Sequence, residues 1–125
     1  MKKKTVSQLK KQLDKLFSIY IRNKYADWRG NVRCVSCGRL YQIKGIQAGH
    51  FVSRGNNSLR YSEDNVFPQC VSCNVFKNGN YPAFSVYLIN KFGADYIIKL
   101  EKRGQKIKQF TVKELENLIK KYATN

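Results

Sequence analysis

With 125 residues, 42% of them apolar, the chain has room for one domain and a modest core. Its 24 lysines and arginines against 8 acidic residues leave a net charge of +16, which points to a polyanion as partner, nucleic acid before an anionic membrane. No run of about 18 apolar residues occurs, which excludes a transmembrane helix. The basic start, Met1 to Lys4, leads into an amphipathic segment interrupted by Asp14 rather than into a signal peptide's unbroken apolar stretch. Without a secretory signal, four cysteines favour a metal over disulfides, with two structural disulfides as the alternative, and the expected compartment is a reducing cytoplasm.

From Thr5 to about Ala26, the apolar residues Val6, Leu9, Leu13, Leu16, Phe17, Tyr20, Ile21 and Tyr25 recur at steps of three and four, predicting an amphipathic helix. Thr5 and Gln8 suit a capping box, and Gly30 suits the turn that follows. The helix's apolar stripe serves either a dimer interface or the chain's own core. Its lysines and arginines read as a solvated face or as DNA contacts.

Val32 to Leu40 forms a first knuckle, Cys34-Val35-Ser36-Cys37, with Gly38 allowing its tight turn. Tyr41 to Phe51 reads as a strand interrupted near Gly45 and leading into His50. Val52 to Ser58 is a loop by its turn residues, Leu59-Arg60-Tyr61 a second short strand, and Ser62 to Asn65 a turn. Val66-Phe67-Pro68 leads to the second knuckle, Cys70-Val71-Ser72-Cys73, from which a helix begins near Val71 and carries Asn74 and Lys77 until Gly79-Asn80 breaks it. Three helices follow: Pro82 to about Phe92, Ala94 to Arg103, and one opened by a Thr111/Glu114 capping box. The expected class is α+β, one domain with an N-terminal helix over residues 1–30, a zinc-bound core over 31–81 and a helical part over 82–125.

Paired Cys-x-x-Cys knuckles are a strong zinc signal, because four thiolates close a tetrahedral site. The spacer between them, longer than the roughly 15–20 residues of a simple zinc ribbon, holds the chain's one histidine. Strand, histidine, loop, strand, asparagine and a helix bearing a ligand is the layout of a ββα-metal, or HNH, nuclease site. In that layout His50 is the general base, the one side chain here whose ordinary pKa suits the task near neutrality. Asn74 offers a hard amide oxygen to Mg²⁺ or Mn²⁺. Asn65 ties the loop to the hairpin and holds the imidazole in its working tautomer. Arg54, Arg60 and Lys77 are candidate phosphate clamps, or plain solvated charge.

The motifs Cys34-x-x-Cys37, Ala48-Gly49-His50-Phe51-x-Ser53-Arg54-Gly55, Leu59-Arg60-Tyr61, Asp64-Asn65, Gln69-Cys70-x-x-Cys73-Asn74 and Gly79-Asn80 resemble the lambdoid phage NinG (Rap) recombination nucleases. More distantly they resemble the endonuclease VII resolvases of the HNH superfamily. The likeness covers about Arg33 to Tyr81 and, more loosely, the tail to about Leu100. It implies a zinc-stabilised ββα-metal fold and a phage- or prophage-encoded enzyme acting in the bacterial host. By resemblance His50 maps onto the general base, Asn65 onto the middle asparagine and Asn74 onto the last metal position. Longer members carry a further N-terminal segment. Many HNH sites place an Asp or His just before the catalytic histidine; here that residue is Gly49, which implies weak metal binding without DNA. Glu63 and Asp64 are the nearest carboxylates in sequence.

The function expected is therefore a metal-dependent, structure-selective DNA endonuclease acting on branched recombination intermediates such as Holliday junctions, forks and D-loops. Zinc is structural and Mg²⁺ or Mn²⁺ catalytic. A homodimer matches the two-fold symmetry of a four-way junction. A non-catalytic zinc-ribbon DNA binder and an HNH endonuclease without branch preference are the alternatives.

Overall fold

The structure is a computed structural model and describes residues 3–123; Met1 and Lys2 of the basic start lie outside it. Helix α1, Val6–Lys24, opens with the expected capping box: the Gln8 N–H donates to the Thr5 hydroxyl at 3.2 Å, and the Thr5 N–H donates to the Gln8 side chain at 2.9 Å. Leu9, Leu13, Phe17 and Ile21, one per turn, are all buried. They pack on helix α4, Val112–Ala123, against Leu115 and Tyr122, whose ring meets Phe17 edge-on at 4.9 Å. Each such side chain contributes about 2 kcal/mol by leaving water. The stripe that sequence left open between a dimer interface and the chain's own core is filled by that core. Helix α4 starts at the anticipated box, with the Glu114 N–H donating to the Thr111 hydroxyl at 3.1 Å and the Thr111 N–H to the Glu114 carboxylate at 3.2 Å.

Strands β1, Asn31–Arg33, and β2, Leu40–Gln42, pair antiparallel around the first knuckle. A single 3-10 turn, Ile43–Gly45, is the interruption expected near Gly45. Strand β3, Ile46–His50, then pairs antiparallel with β4, Val66–Cys70, in a register running from Ile46 opposite Cys70 to His50 opposite Val66.

The second strand of this hairpin is thus Val66–Cys70, not Leu59-Arg60-Tyr61. Residues 56–65 instead run through successive turns, Leu59 N–H to Asn56 carbonyl, Ser62 to Leu59 and Asn65 to Ser62, each a backbone bond of 3.0–3.2 Å. Asn65 consequently precedes β4 rather than ending a strand. All five residues of β4 are buried, Val66 facing the α1–α4 core and Phe67 a second core with Leu59, Phe84, Leu88 and Leu100.

After Cys70 the chain makes one π-helical turn, Ser72–Phe76, closed by the Lys77 N–H on the Ser72 carbonyl at 2.9 Å. Asn78, Gly79 and Asn80 all have positive φ, so the helix expected there is one turn long. Helices α2, Tyr81–Phe92, and α3, Ala94–Gly104, follow, with Pro82 in the first turn of α2 and Gly93 at φ 92° between them. Among the described residues the class is α+β: helices around two small antiparallel sheets. None of these helices is long and apolar enough to cross a membrane.

Candidate functional site

The two knuckles converge. Gly38, at φ 76°, closes the first, its N–H donating to the Cys34 carbonyl at 2.9 Å, while the Cys37 N–H donates to Cys34 Sγ at 3.5 Å. The four sulfurs of Cys34, Cys37, Cys70 and Cys73 lie within 4.8 Å of one another, with Cys37 and Cys70 at 3.8 Å. Sulfurs bound to zinc at about 2.3 Å stand about 3.8 Å apart in a tetrahedron, so the cluster has the dimensions of a metal site. All four cysteines are free, against the disulfide alternative. Burial pushes the Cys34 thiol up to about 12. Burial opposes ionisation at Cys70 too, but bonds from the Cys73 backbone and the Tyr41 hydroxyl bring it down to about 7. Asn80 Nδ2 donates to Cys73 Sγ at 3.4 Å. These cysteines are positioned to hold one metal ion, and through it to lash the β1–β2 hairpin to the end of β4.

Beside this cluster lies a cleft of about 470 Å³. Its walls are Asp14, Phe17 and Ser18 of α1, Gln47, Ala48 and His50 of β3, Ser53 and Arg54 of the loop, Asn74 of the π-turn, and Tyr81. His50 and Asn74, 24 residues apart in sequence, share it. His50 Nε2 is 2.9 Å from the Arg60 carbonyl, an acceptor, so Nε2 carries the proton and Nδ1 keeps its lone pair. Burial holds this imidazole below its ordinary pKa, and the Arg54 charge acts in the same direction, against the Arg60 carbonyl. Asn74 Nδ2 donates to Gln47 Oε1 at 2.8 Å, which fixes the amide by its nitrogen and leaves Oδ1 for a cation.

Asn65 is fully buried, and none of its side-chain hydrogen bonds goes to the imidazole. It accepts from the Val52 N–H at 2.8 Å and donates to the carbonyls of Val52 and Leu59 at 3.0 and 3.3 Å. The expected tie to the loop is present. The group that sets the tautomer is the backbone of Arg60.

The Arg60 guanidinium, read from sequence as a phosphate clamp, is engaged instead with Asp14, by Nε to Oδ1 at 2.9 Å and Nη2 to Oδ2 at 2.5 Å. Tyr61 adds its hydroxyl to Asp14 Oδ1 at 2.9 Å. Burial works against ionisation of Asp14, but these bonds outweigh it and hold the carboxyl below its usual range. Arg54 is exposed on the cleft wall, whereas Lys77 is exposed outside its lining. The carboxylates nearest in sequence lie elsewhere. Glu63 accepts from Tyr20 and Lys24, each at 3.0 Å, and Asp64 pairs with Arg103 at 3.1 Å. Asp14, the one acid within α1, is the carboxylate at the cleft. Its sequence signal was an acid on an otherwise basic helix face.

Gly49 has a physical explanation. A Cβ at that position would stand 2.0 Å from Gln69 Oε1. The Gln69 amide is fully buried and donates to Ser36 Oγ and to the Gly79 carbonyl, both at 2.7 Å, bracing one knuckle against the turn after the other. A ligand side chain before His50 is excluded by this brace. On the cleft the Asn74 Oδ1, a hard oxygen donor, is left without a neighbouring ligand side chain at position 49.

The family profile described as "Bacteriophage Lambda NinG protein" matches residues 1–125. "Protein ninG" of Escherichia phage 933W is 32% identical over 113 residues, covering 90% of this chain and 53% of that protein. The proteins of the same name from phage lambda and Salmonella phage P22 are 29% and 30% identical over 113 residues, with 52% and 53% of their lengths covered. The chain spans about half the length of these curated relatives. No solved structure gives a significant match. Matched by the family profile over its whole length, the chain belongs to the NinG family of phage proteins.

Proposed function

We propose that the chain is a metal-dependent, structure-selective DNA endonuclease with a zinc-braced ββα-metal (HNH) site. It would hydrolyse phosphodiesters in branched recombination intermediates, four-way junctions, forks and D-loops, as a phage- or prophage-encoded enzyme in the host cytoplasm. The observation that carries this reading is the lone histidine, neutral near pH 7, with Nε2 capped by a backbone carbonyl and the Asn74 amide on the same cleft. His50 Nδ1 takes a proton from the attacking water. Asn74 Oδ1 would help hold Mg²⁺ or Mn²⁺, and that ion would neutralise charge building on the phosphate and leaving oxygen. Arg54, exposed on the cleft wall, would take a phosphate oxygen.

Cys34, Cys37, Cys70 and Cys73 would hold zinc as a structural brace beside Asn74, with no part in the chemistry. A net charge of +16 supplies backbone contacts that are salt-sensitive and read little sequence. Two symmetric cuts at a four-way junction call for a homodimer, whose interface must lie away from the apolar stripe of α1.

The test compares cleavage of a labelled four-way junction with that of its linear duplex, in Mg²⁺ or Mn²⁺, by wild type and His50→Ala. Junction cutting that vanishes in the variant while binding persists supports the reading. Tight binding without cutting of either substrate favours a non-catalytic zinc-ribbon binder, and equal cutting of both favours an HNH enzyme without branch preference.

A further inference from the structure

The segment that carries the His50 acceptor lies in no strand, and the backbone N–H groups of Leu59, Ser62 and Asn65 close only local turns. Two neutral tautomers of an imidazole are close in energy, so the position of one acceptor decides between them. Asn65 anchors this loop from inside, at Leu59. From outside, α1 holds it through Lys10 on Asn57, Tyr20 and Lys24 on Glu63, and Asp14 on Arg60 and Tyr61, of which only Asp14 grips the residue whose carbonyl holds His50. Asp14 takes the Arg60 guanidinium at 2.9 and 2.5 Å and the Tyr61 hydroxyl at 2.9 Å, and that hydroxyl also donates to the Lys10 carbonyl at 3.1 Å. The pair is largely shielded, with side chains 14% and 19% exposed, so it is screened less than a surface ion pair.

We propose that Asp14 is a positioning residue for the reaction. By clamping Arg60 and Tyr61 to α1 it fixes the Arg60 carbonyl, and that carbonyl holds His50 with Nδ1 free for water. Asp14 acts through Arg60 and is not itself a base. The clamp joins the N-terminal helix to the site and gives the one acid of α1 a task. It rests on His50 as base, under the endonuclease reading, but its geometry is tested without any cleavage.

Because the chain has one histidine, a two-bond ¹H–¹⁵N correlation spectrum of the untagged protein shows one imidazole. In wild type above its pKa, Nε2 should be protonated and Nδ1 bare. In Asp14→Ala and in Arg60→Ala, which keeps the carbonyl but loses the clamp, the two nitrogen shifts should move towards averaged tautomers, while helix content and metal content stay those of wild type. Cleavage should fall on the order of 100-fold in kcat with KM unchanged, as for a misplaced catalytic group. Asp14→Glu should recover most of both.

An imidazole spectrum and kcat unchanged in both alanine variants would overturn the clamp. If Asp14→Ala does not fold, Arg60→Ala decides from the other end. A wild type that cuts no DNA sinks the endonuclease reading alone, because the spectrum still reports the tautomer.

Discussion

Gln69 occupies the space in which a side chain at position 49 would begin: its Oε1 stands 2.0 Å from where a Cβ on Gly49 would lie. Gly49→Ala should therefore cost about 1–3 kcal/mol, the usual penalty of overpacking. Gln69→Ala relieves the clash but gives up the bonds to Ser36 and Gly79. The double variant should then be less destabilised than the sum of the two singles, since the residues share one space. Urea midpoints at constant m-value measure this coupling, and strict additivity would contradict it.

Asn65 bears on the loop rather than on chemistry. Asn65→Ala leaves the Val52 N–H and the carbonyls of Val52 and Leu59 without their partner, a loss of roughly 3 kcal/mol or more. Hydrogen exchange at the Val52 amide should accelerate accordingly, ahead of amides in β4. An unchanged Val52 rate would show that the loop is held by its turns alone.

The cysteine spacing, the caps at Thr5 and Thr111 and the period of α1 were legible because each is a local rule written in neighbouring residues. Strand β4 was not. It is buried on both faces, so it lacks alternation, and Pro68 within it argues against a strand. Leu59-Arg60-Tyr61 has strand-like composition, but its carbonyls are claimed by His50 and Asn65 and its side chains by Asp14. The meeting of His50 with Asn74 followed from motif order. The meeting of Arg60 with Asp14 did not, because 46 residues separate the pair and ion pairs leave no periodic trace.

Arg54 and Arg60 should part company in DNA binding. Arg54 is exposed on the cleft, whereas the Arg60 charge is neutralised by Asp14. Arg54→Ala should lower the slope of log K against log salt by about 1, and Arg60→Ala should leave it unchanged. Equal slopes for the two variants would place both charges, or neither, on phosphate.

Metal uptake should be proton-coupled. With Cys34 at about 12 and Cys70 at about 7 in the metal-free cluster, Cys34 must lose a proton on binding. Apparent zinc affinity should rise at least roughly tenfold per pH unit between about pH 6 and pH 8. Chelation should loosen the β1–β2 hairpin and abolish cutting, and zinc should restore both. Affinity independent of pH would mean that the thiols are already ionised.

The pH dependence of His50 has a definite sign. Its folded pKa lies below the ordinary value near 6.5, chiefly through burial, so between those two values the unfolded chain binds more protons than the folded one. The stability contributed is complete above about pH 6.5 and is lost as pH falls through the folded value. His50→Gln should lack this acid loss, so urea midpoints of wild type and variant should converge with the fall from about pH 7.5 to pH 5 if wild type starts the more stable. Cleavage should follow the same group: a plateau at neutral pH, and an acid limb beginning below about 6.5 with a tenfold fall per unit once Nδ1 is protonated. An acid limb with its midpoint above 6.5 would contradict a lowered imidazole, and a limb that persists in His50→Gln would assign the proton acceptor to another group.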